Sequence, residues 1–128
     1  MTLSRGTIWA VPIHNGAPYV MPKHPIVPHS HITLAYDVEL SDWSPWVGVE
    51  FPAQMISQHW NDRVHAIKFA FLDTIPFQLT VRHMTVSRIE GASPIESTKM
   101  ILDSQPQAIE IDDLYRLFRI QFGKFKEN

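Results

Sequence analysis

Hydrophobic and polar positions in this chain alternate with a period of two over several short runs, the pattern of half-buried strands rather than of helices. Thr7–Ile13 is β-branched and aromatic, is broken by Pro12, and predicts an opening strand. His31–Tyr36 alternates, with His31, Thr33 and Ala35 on one face and Ile32, Leu34 and Tyr36 on the other. Trp46–Phe51 predicts a strand that continues after a bulge at Pro52 through Gln54–Ser57. Trp60–Asp62 turns the chain and Arg63–Phe71 returns, which makes a long antiparallel hairpin. After a break at Asp73–Pro76, Val81–Arg88 repeats the second pattern: His83, Thr85 and Ser87 share one face, and Met84 and Val86 point to the other. Two more alternating runs follow, Ala108–Ile111 and Leu117–Phe122, and the tail Gly123–Asn128 is expected to fray.

Helical signals are fewer. Asp37–Pro45 accommodates either one helical turn capped by Ser41 or a plain connection. A turn at Gly91–Pro94 precedes Ile95–Leu102, a short helix whose apolar residues are Ile95, Met100 and Ile101. His14–Ser30 has no period of either kind and is punctuated by prolines, so it reads as a long loop, a length that is often functional. Because strands outnumber helices and His31-x-Thr33 recurs at His83-x-Thr85, an α+β arrangement of two related lobes about an approximate two-fold axis is expected.

Composition narrows the chemistry. At 128 residues, 45% hydrophobic and 19% charged, the chain predicts one domain, 1–128, with a single core. The absence of cysteine excludes disulfides, thiolate zinc sites and cysteine nucleophiles. The apolar run near the N-terminus is too short for a signal peptide or a membrane span, so a soluble cytoplasmic protein is expected. A formal charge of −2 offers no global attraction for polyanions, and any phosphate recognition must be local. Seven histidines beside eleven Lys plus Arg point towards imidazole chemistry.

The two His-x-Thr triplets carry that chemistry. On a strand, residues two apart sit on one face about 7 Å from each other, so an imidazole and a hydroxyl can touch one small anion. Phosphodiester cleavage needs a proton removed from the entering oxygen and another delivered to the departing one, and two imidazoles can divide the work. The threonine hydroxyls can donate to nonbridging oxygens, each preorganised donor being worth roughly 3 kcal/mol by analogy with oxyanion donors. Four such residues on two adjacent strands need no metal and no cofactor.

His31-Ile32-Thr33-Leu34 and His83-Met84-Thr85-Val86 resemble the paired motifs of the 2H phosphoesterases. That superfamily contains RNA 2′,3′-cyclic phosphodiesterases, processing domains of RNA-ligating enzymes and small viral enzymes that cut cyclic nucleotides. The region from Trp46 to Leu102 further resembles the cyclic phosphodiesterase domain of fungal-type tRNA ligases. The match there lies in the hairpin at Asp62-Arg63-Val64-His65-Ala66, the second triplet, and Gly91-Ala92-Ser93-Pro94 with Ser97 and Met100 following. The resemblance implies a compact bilobal fold, two antiparallel sheets around a central cleft with few short helices. It also implies metal-independent hydrolysis by catalytic His31 and His83, with Thr33 and Thr85 holding phosphate, and leaves open which histidine is acid and which base. The chain departs from the family in being shorter than most members and in lacking an evident helix before His31.

Further side chains are candidates for contacting substrate. Tyr36, Trp43, Trp46 and Trp60 could stack on a base, though aromatic residues in so small a chain are core residues first, and one cleft aromatic is expected, Trp43 or Tyr19 in the neighbouring loops. His24 and His29 lie in the proline-rich loop. His29 and His31 have metal-compatible spacing but lack an acidic partner, and no metal site is expected. Arg82 and Arg88 fall opposite His83 on a regular strand, an arrangement a bulge would reverse, and Ser87 is in phase with His83. His59 and His65 are expected to serve packing or solvent, and Asp112-Asp113 a solvated turn.

The function expected is hydrolysis of 2′,3′-cyclic phosphates on an RNA terminus or a small nucleotide. No membrane and no obligatory protein partner enter the expectation. The alternatives are a viral-type hydrolase of cyclic oligonucleotide signals, a binding module that recognises cyclic phosphate without turnover, and a structural sheet protein whose triplets are accidental.

Overall fold

A computed structural model describes residues 4–13, 20–93, 95–111 and 113–124. Six strands and two helices follow in the order β1 (Arg5–Pro12), β2 (Ile32–Glu39), α1 (Leu40–Trp43), β3 (Glu50–Trp60), β4 (Val64–Phe71), β5 (His83–Arg88), α2 (Ile95–Asp103) and β6 (Tyr115–Gly123). The strands close on themselves as β1-β2-β5-β4-β3-β6, with every neighbouring pair antiparallel.

This closure corrects the expected bilobal arrangement of two sheets around a cleft. β6 pairs with both β1 and β3, and β5 pairs with both β4 and β2, so one continuous ladder replaces two separate sheets. Closing a ladder removes both exposed edges, which would otherwise leave a row of unpaired amides and carbonyls. From the β2–β5 seam the ring runs through β1 then β6 on one side and through β4 then β3 on the other.

Inward positions fill the barrel. Ile8, Ile32, Leu34, Phe51, Ala53, Met55, Ile67, Phe69, Met84, Val86, Phe118 and Ile120 belong to one buried cluster. A smaller cluster outside the barrel packs Met100 and Ile101 of α2 against Val64 and Ala66 of β4.

Several local expectations shift. Trp46–Gly48 is turn rather than strand, and β3 runs unbroken through Pro52, which pairs with Leu117; the irregularity falls instead between Met55 and Ser57. Proline is tolerated where its missing amide is not needed by the ladder. Ala108–Ile111 is not a strand: Gln107 makes one isolated bridge to Gln58 of β3. Gly123, expected to fray, ends β6 paired with Thr7, while residues 125–128 lie outside the described residues.

Candidate active site

The two His-x-Thr triplets meet at the β2–β5 seam. Ile32 pairs with Met84 in antiparallel register, and both side chains are buried in the barrel core. Antiparallel register then sets His31 across from Thr85 and Thr33 across from His83. Alternation sends Ile32 and Met84 inward and the four polar residues outward. His31, Thr33, His83 and Thr85 line one cavity of about 680 Å3 on the outer wall. Its rim is built by Val27, Pro28 and His29 from the loop before β2, by Gln78, Leu79 and Thr80 from the loop before β5, and by Ile95 and Thr98 of α2.

A bulge immediately follows each threonine. Against β1, Ile8 pairs with Ala35 and Trp9 with Thr33, so Leu34 is the extra residue. Against β4, His65 pairs with Ser87 and Ala66 with Thr85, so Val86 is the extra residue. An added residue delays the alternation by one position. Leu34 with Ala35, and Val86 with Ser87, are therefore consecutive buried pairs, and the outward positions resume at Tyr36 and Arg88, both of which line the cavity. The bulged residues' carbonyls also accept crossing bonds: Gln78 N–H donates to Leu34 O at 2.9 Å and Val27 N–H to Val86 O at 3.0 Å. Each loop that leads into one histidine is thus tied to the strand of the other.

Both imidazoles are oriented in the same way. His31 Nδ1 donates to the His29 carbonyl at 2.8 Å, and His83 Nδ1 to the Val81 carbonyl at 3.0 Å. A carbonyl only accepts, so each Nδ1 carries a proton and Nε2 is the nitrogen at which protonation changes. His31 is 9% exposed, while His83, Thr33 and Thr85 are partly buried. Thr85 is held twice: its Oγ1 lies 2.8 Å from Ser97 Oγ on α2, and its carbonyl accepts from Ser30 Oγ at 3.0 Å.

Helix α2 is anchored beside the cavity. The Glu96 carboxylate accepts the Ser93 amide at 2.6 Å and pairs with Arg63 just before β4. The Arg63 guanidinium first, and the Ser93 amide second, hold the Glu96 carboxyl down at about 2.

The remaining candidates divide. His29 and Tyr36 line the cavity, although alternation had put Tyr36 on the opposite face; the bulge at Leu34 brings it round. Trp43 is 3% exposed and belongs to the core, a consequence of its size. Ser87 is buried away from the cavity by the bulge at Val86, its Oγ accepting the His24 amide at 3.2 Å. Arg82 lies over the rings of Phe71 and Phe77, at 5.1 and 4.7 Å from their centroids, and does not line the cavity. Tyr19 lies outside the described residues. Arg88, opposite His83 on a regular strand, lines the cavity because the bulge at Val86 reverses its facing, and a bulge in a run of ordinary strand formers leaves no mark in the sequence.

His65 and His59 are structural. His65, fully buried, accepts the Lys23 amide at Nδ1 (3.3 Å) and donates from Nε2 to Gln58 Oε1 (2.9 Å). Burial first, then the charges of Lys23 and His24, push it down to about 4. His59, between Ser57 Oγ and Ser104 Oγ at 2.8 Å each, is lowered by burial and then by Lys68. Among the described residues, no three histidine or acidic side chains gather in a metal-ligating arrangement, and no helix is long and apolar enough to cross a membrane.

No protein-family model and no curated protein matches this chain. Among solved structures it is similar to the crystal structure of a fungal RNA kinase, with a TM-score of 0.56 and 14% identity, covering 97% of this chain and 45% of that one. At that identity the likeness is one of fold. The chain spans less than half the length of that structure.

Proposed function

We propose that this protein is a metal-independent phosphodiesterase of the 2H phosphoesterase type that hydrolyses 2′,3′-cyclic phosphates of RNA ends or nucleotides. The observation that carries the reading is the register at Ile32 and Met84, which brings two His-x-Thr triplets to one cavity in crossed order. The solved structure of similar fold belongs to a fungal RNA kinase, which is compatible with an RNA end as substrate.

In this reading the cyclic phosphate sits between the strands, with Thr33 and Thr85 hydroxyls donating to its nonbridging oxygens. One histidine, neutral, takes a proton from water at Nε2 as that water's oxygen bonds to phosphorus. The other, protonated, gives its Nε2 proton to the ribose oxygen as the P–O bond breaks, which leaves a phosphomonoester and a free hydroxyl. The two Nδ1–carbonyl bonds suit this exchange, because each fixes a ring without occupying Nε2. Arg88 supplies positive charge beside the phosphate, and Tyr36 supplies a partly exposed ring on which a base can stack.

The test is product analysis with a chelator present, using nucleoside 2′,3′-cyclic phosphates, cyclic dinucleotides and end-labelled RNA. Opening of cyclic ends is expected, with His31→Ala and His83→Ala each losing about 10²–10⁴-fold in kcat/KM. Cleavage confined to cyclic oligonucleotides would transfer the activity to signal hydrolysis. Binding without turnover would make the protein a recognition module, and a strict need for added metal would end the proposed mechanism.

A further inference from the structure

Ser97 enters the site from outside the two strands. It is 0% exposed on α2, and its Oγ lies 2.8 Å from Thr85 Oγ1. Geometry alone lets either hydroxyl donate, but burial separates the two cases. If Thr85 donated to Ser97, the Ser97 proton would need an acceptor of its own. Among the described residues Thr85 is the hydrogen-bond partner of the Ser97 hydroxyl. An unsatisfied buried donor costs about 1–3 kcal/mol, whereas the Thr85 proton has the cavity to point into.

We propose that Ser97 is a positioning residue that donates to Thr85 Oγ1 and thereby turns the Thr85 hydroxyl proton into the cavity, towards the nonbridging oxygen of a bound phosphate. The inference rests on the function proposed above for its consequence, and on the hydrogen-bond geometry for its direction. A hydroxyl that accepts one bond becomes a better donor in the next, so the relay Ser97 to Thr85 to phosphate strengthens the contact as charge gathers on that oxygen. Helix α2 gives the relay its rigidity, since the Ser93 amide and Arg63 hold Glu96 one residue before Ser97.

Two measurements test this. In the first, kcat and KM for a nucleoside 2′,3′-cyclic phosphate are compared for the wild type, Ser97→Ala, Ser97→Thr, Thr85→Ala and the Thr85→Ala/Ser97→Ala double variant. Ser97→Ala is expected to lower kcat about tenfold with KM nearly unchanged. Ser97→Thr should recover most of it, and the double variant should be no slower than Thr85→Ala alone. Wild-type kcat in Ser97→Ala, or losses that multiply in the double variant, would overturn the proposal. The second needs neither turnover nor a variant: NMR of the wild-type protein should show the Ser97 hydroxyl proton exchanging slowly with water and the Thr85 hydroxyl proton exchanging faster. Any other order overturns it. If the wild type turns over no cyclic phosphate, the functional reading falls while the exchange order still decides the direction of the bond.

Discussion

A histidine two positions before a threonine announces itself in a sequence, because strand geometry converts that spacing directly into a shared face. His31, Thr33, His83 and Thr85 were legible for this reason, and the structure gathers them at one cavity. The facing of Tyr36 and Arg88 was not legible, because Leu34 and Val86, the bulged residues, are ordinary apolar strand formers rather than glycines. The strict alternation that placed the threonines correctly therefore favoured Ser87 where the cavity receives Arg88. This contrast gives a prediction with internal controls. Arg88→Met should raise KM for a cyclic phosphate about tenfold or more, since a charge-assisted hydrogen bond is worth about 1.5–3 kcal/mol. Arg82→Met, whose guanidinium lies over Phe71 and Phe77, should leave KM within about twofold. Steady-state kinetics on the three proteins decide it, and equal effects of the two substitutions would remove Arg88 from the site.

Between the residue and the barrel stand two elements that shape the cavity, the loop before β2 and helix α2. The helix was legible from its apolar spacing and the turn before it. The loop's course was not, because its prolines mark irregularity without naming what the segment touches. In the structure its amides are spent one after another on β4 and β5: Lys23 on His65 Nδ1, His24 on Ser87 Oγ, and Val27 on the Val86 carbonyl. His65 makes this attachment sensitive to pH. Its Nδ1 must be unprotonated to accept from Lys23, and burial lowers its affinity for protons to about 4 against an ordinary value of 6.5. Between those values the unfolded or detached state binds more protons than the native one. The contribution is therefore complete above about pH 6.5 and is lost as pH falls through about 4. Hydrogen exchange at the Lys23 amide should accelerate over that window relative to its intrinsic rate. A His65→Gln variant should abolish the acceleration, and a pH-independent Lys23 amide in the wild type would contradict the account. Glu96 acts in the same direction lower down: its carboxylate is held at about 2, so the anchor of α2 weakens only as pH falls below its ordinary 4.5.

At the scale of the molecule, closure was the part the sequence concealed. Alternation identifies strands but not their partners: the pairing of β6 with β1 joins segments separated by most of the chain, and that of β6 with β3 segments separated by about half of it. The same closure makes the core and the candidate site mechanically one object at the seam. β2 and β5 share a single paired position, Ile32 with Met84, and those two buried side chains stand between the histidines and threonines on the opposite face. A change in packing beneath the seam should then displace the groups above it, whereas an equal change elsewhere in the barrel should not. Ile120 on β6 offers the comparison, being as buried as Ile32 and paired with Ala10 of β1, away from the cavity. Ile32→Val and Ile120→Val should each cost about 1 kcal/mol of stability, with similar falls in Tm. Reacting groups moved by a fraction of an ångström lose rate steeply, so Ile32→Val should also lower kcat by at least about threefold while Ile120→Val leaves it unchanged. Thermal melts and kinetics on the same preparations separate the outcomes. If equal losses of stability brought equal losses of kcat, the seam would be transmitting only global looseness, and the register at Ile32 and Met84 would have no special hold on the chemistry.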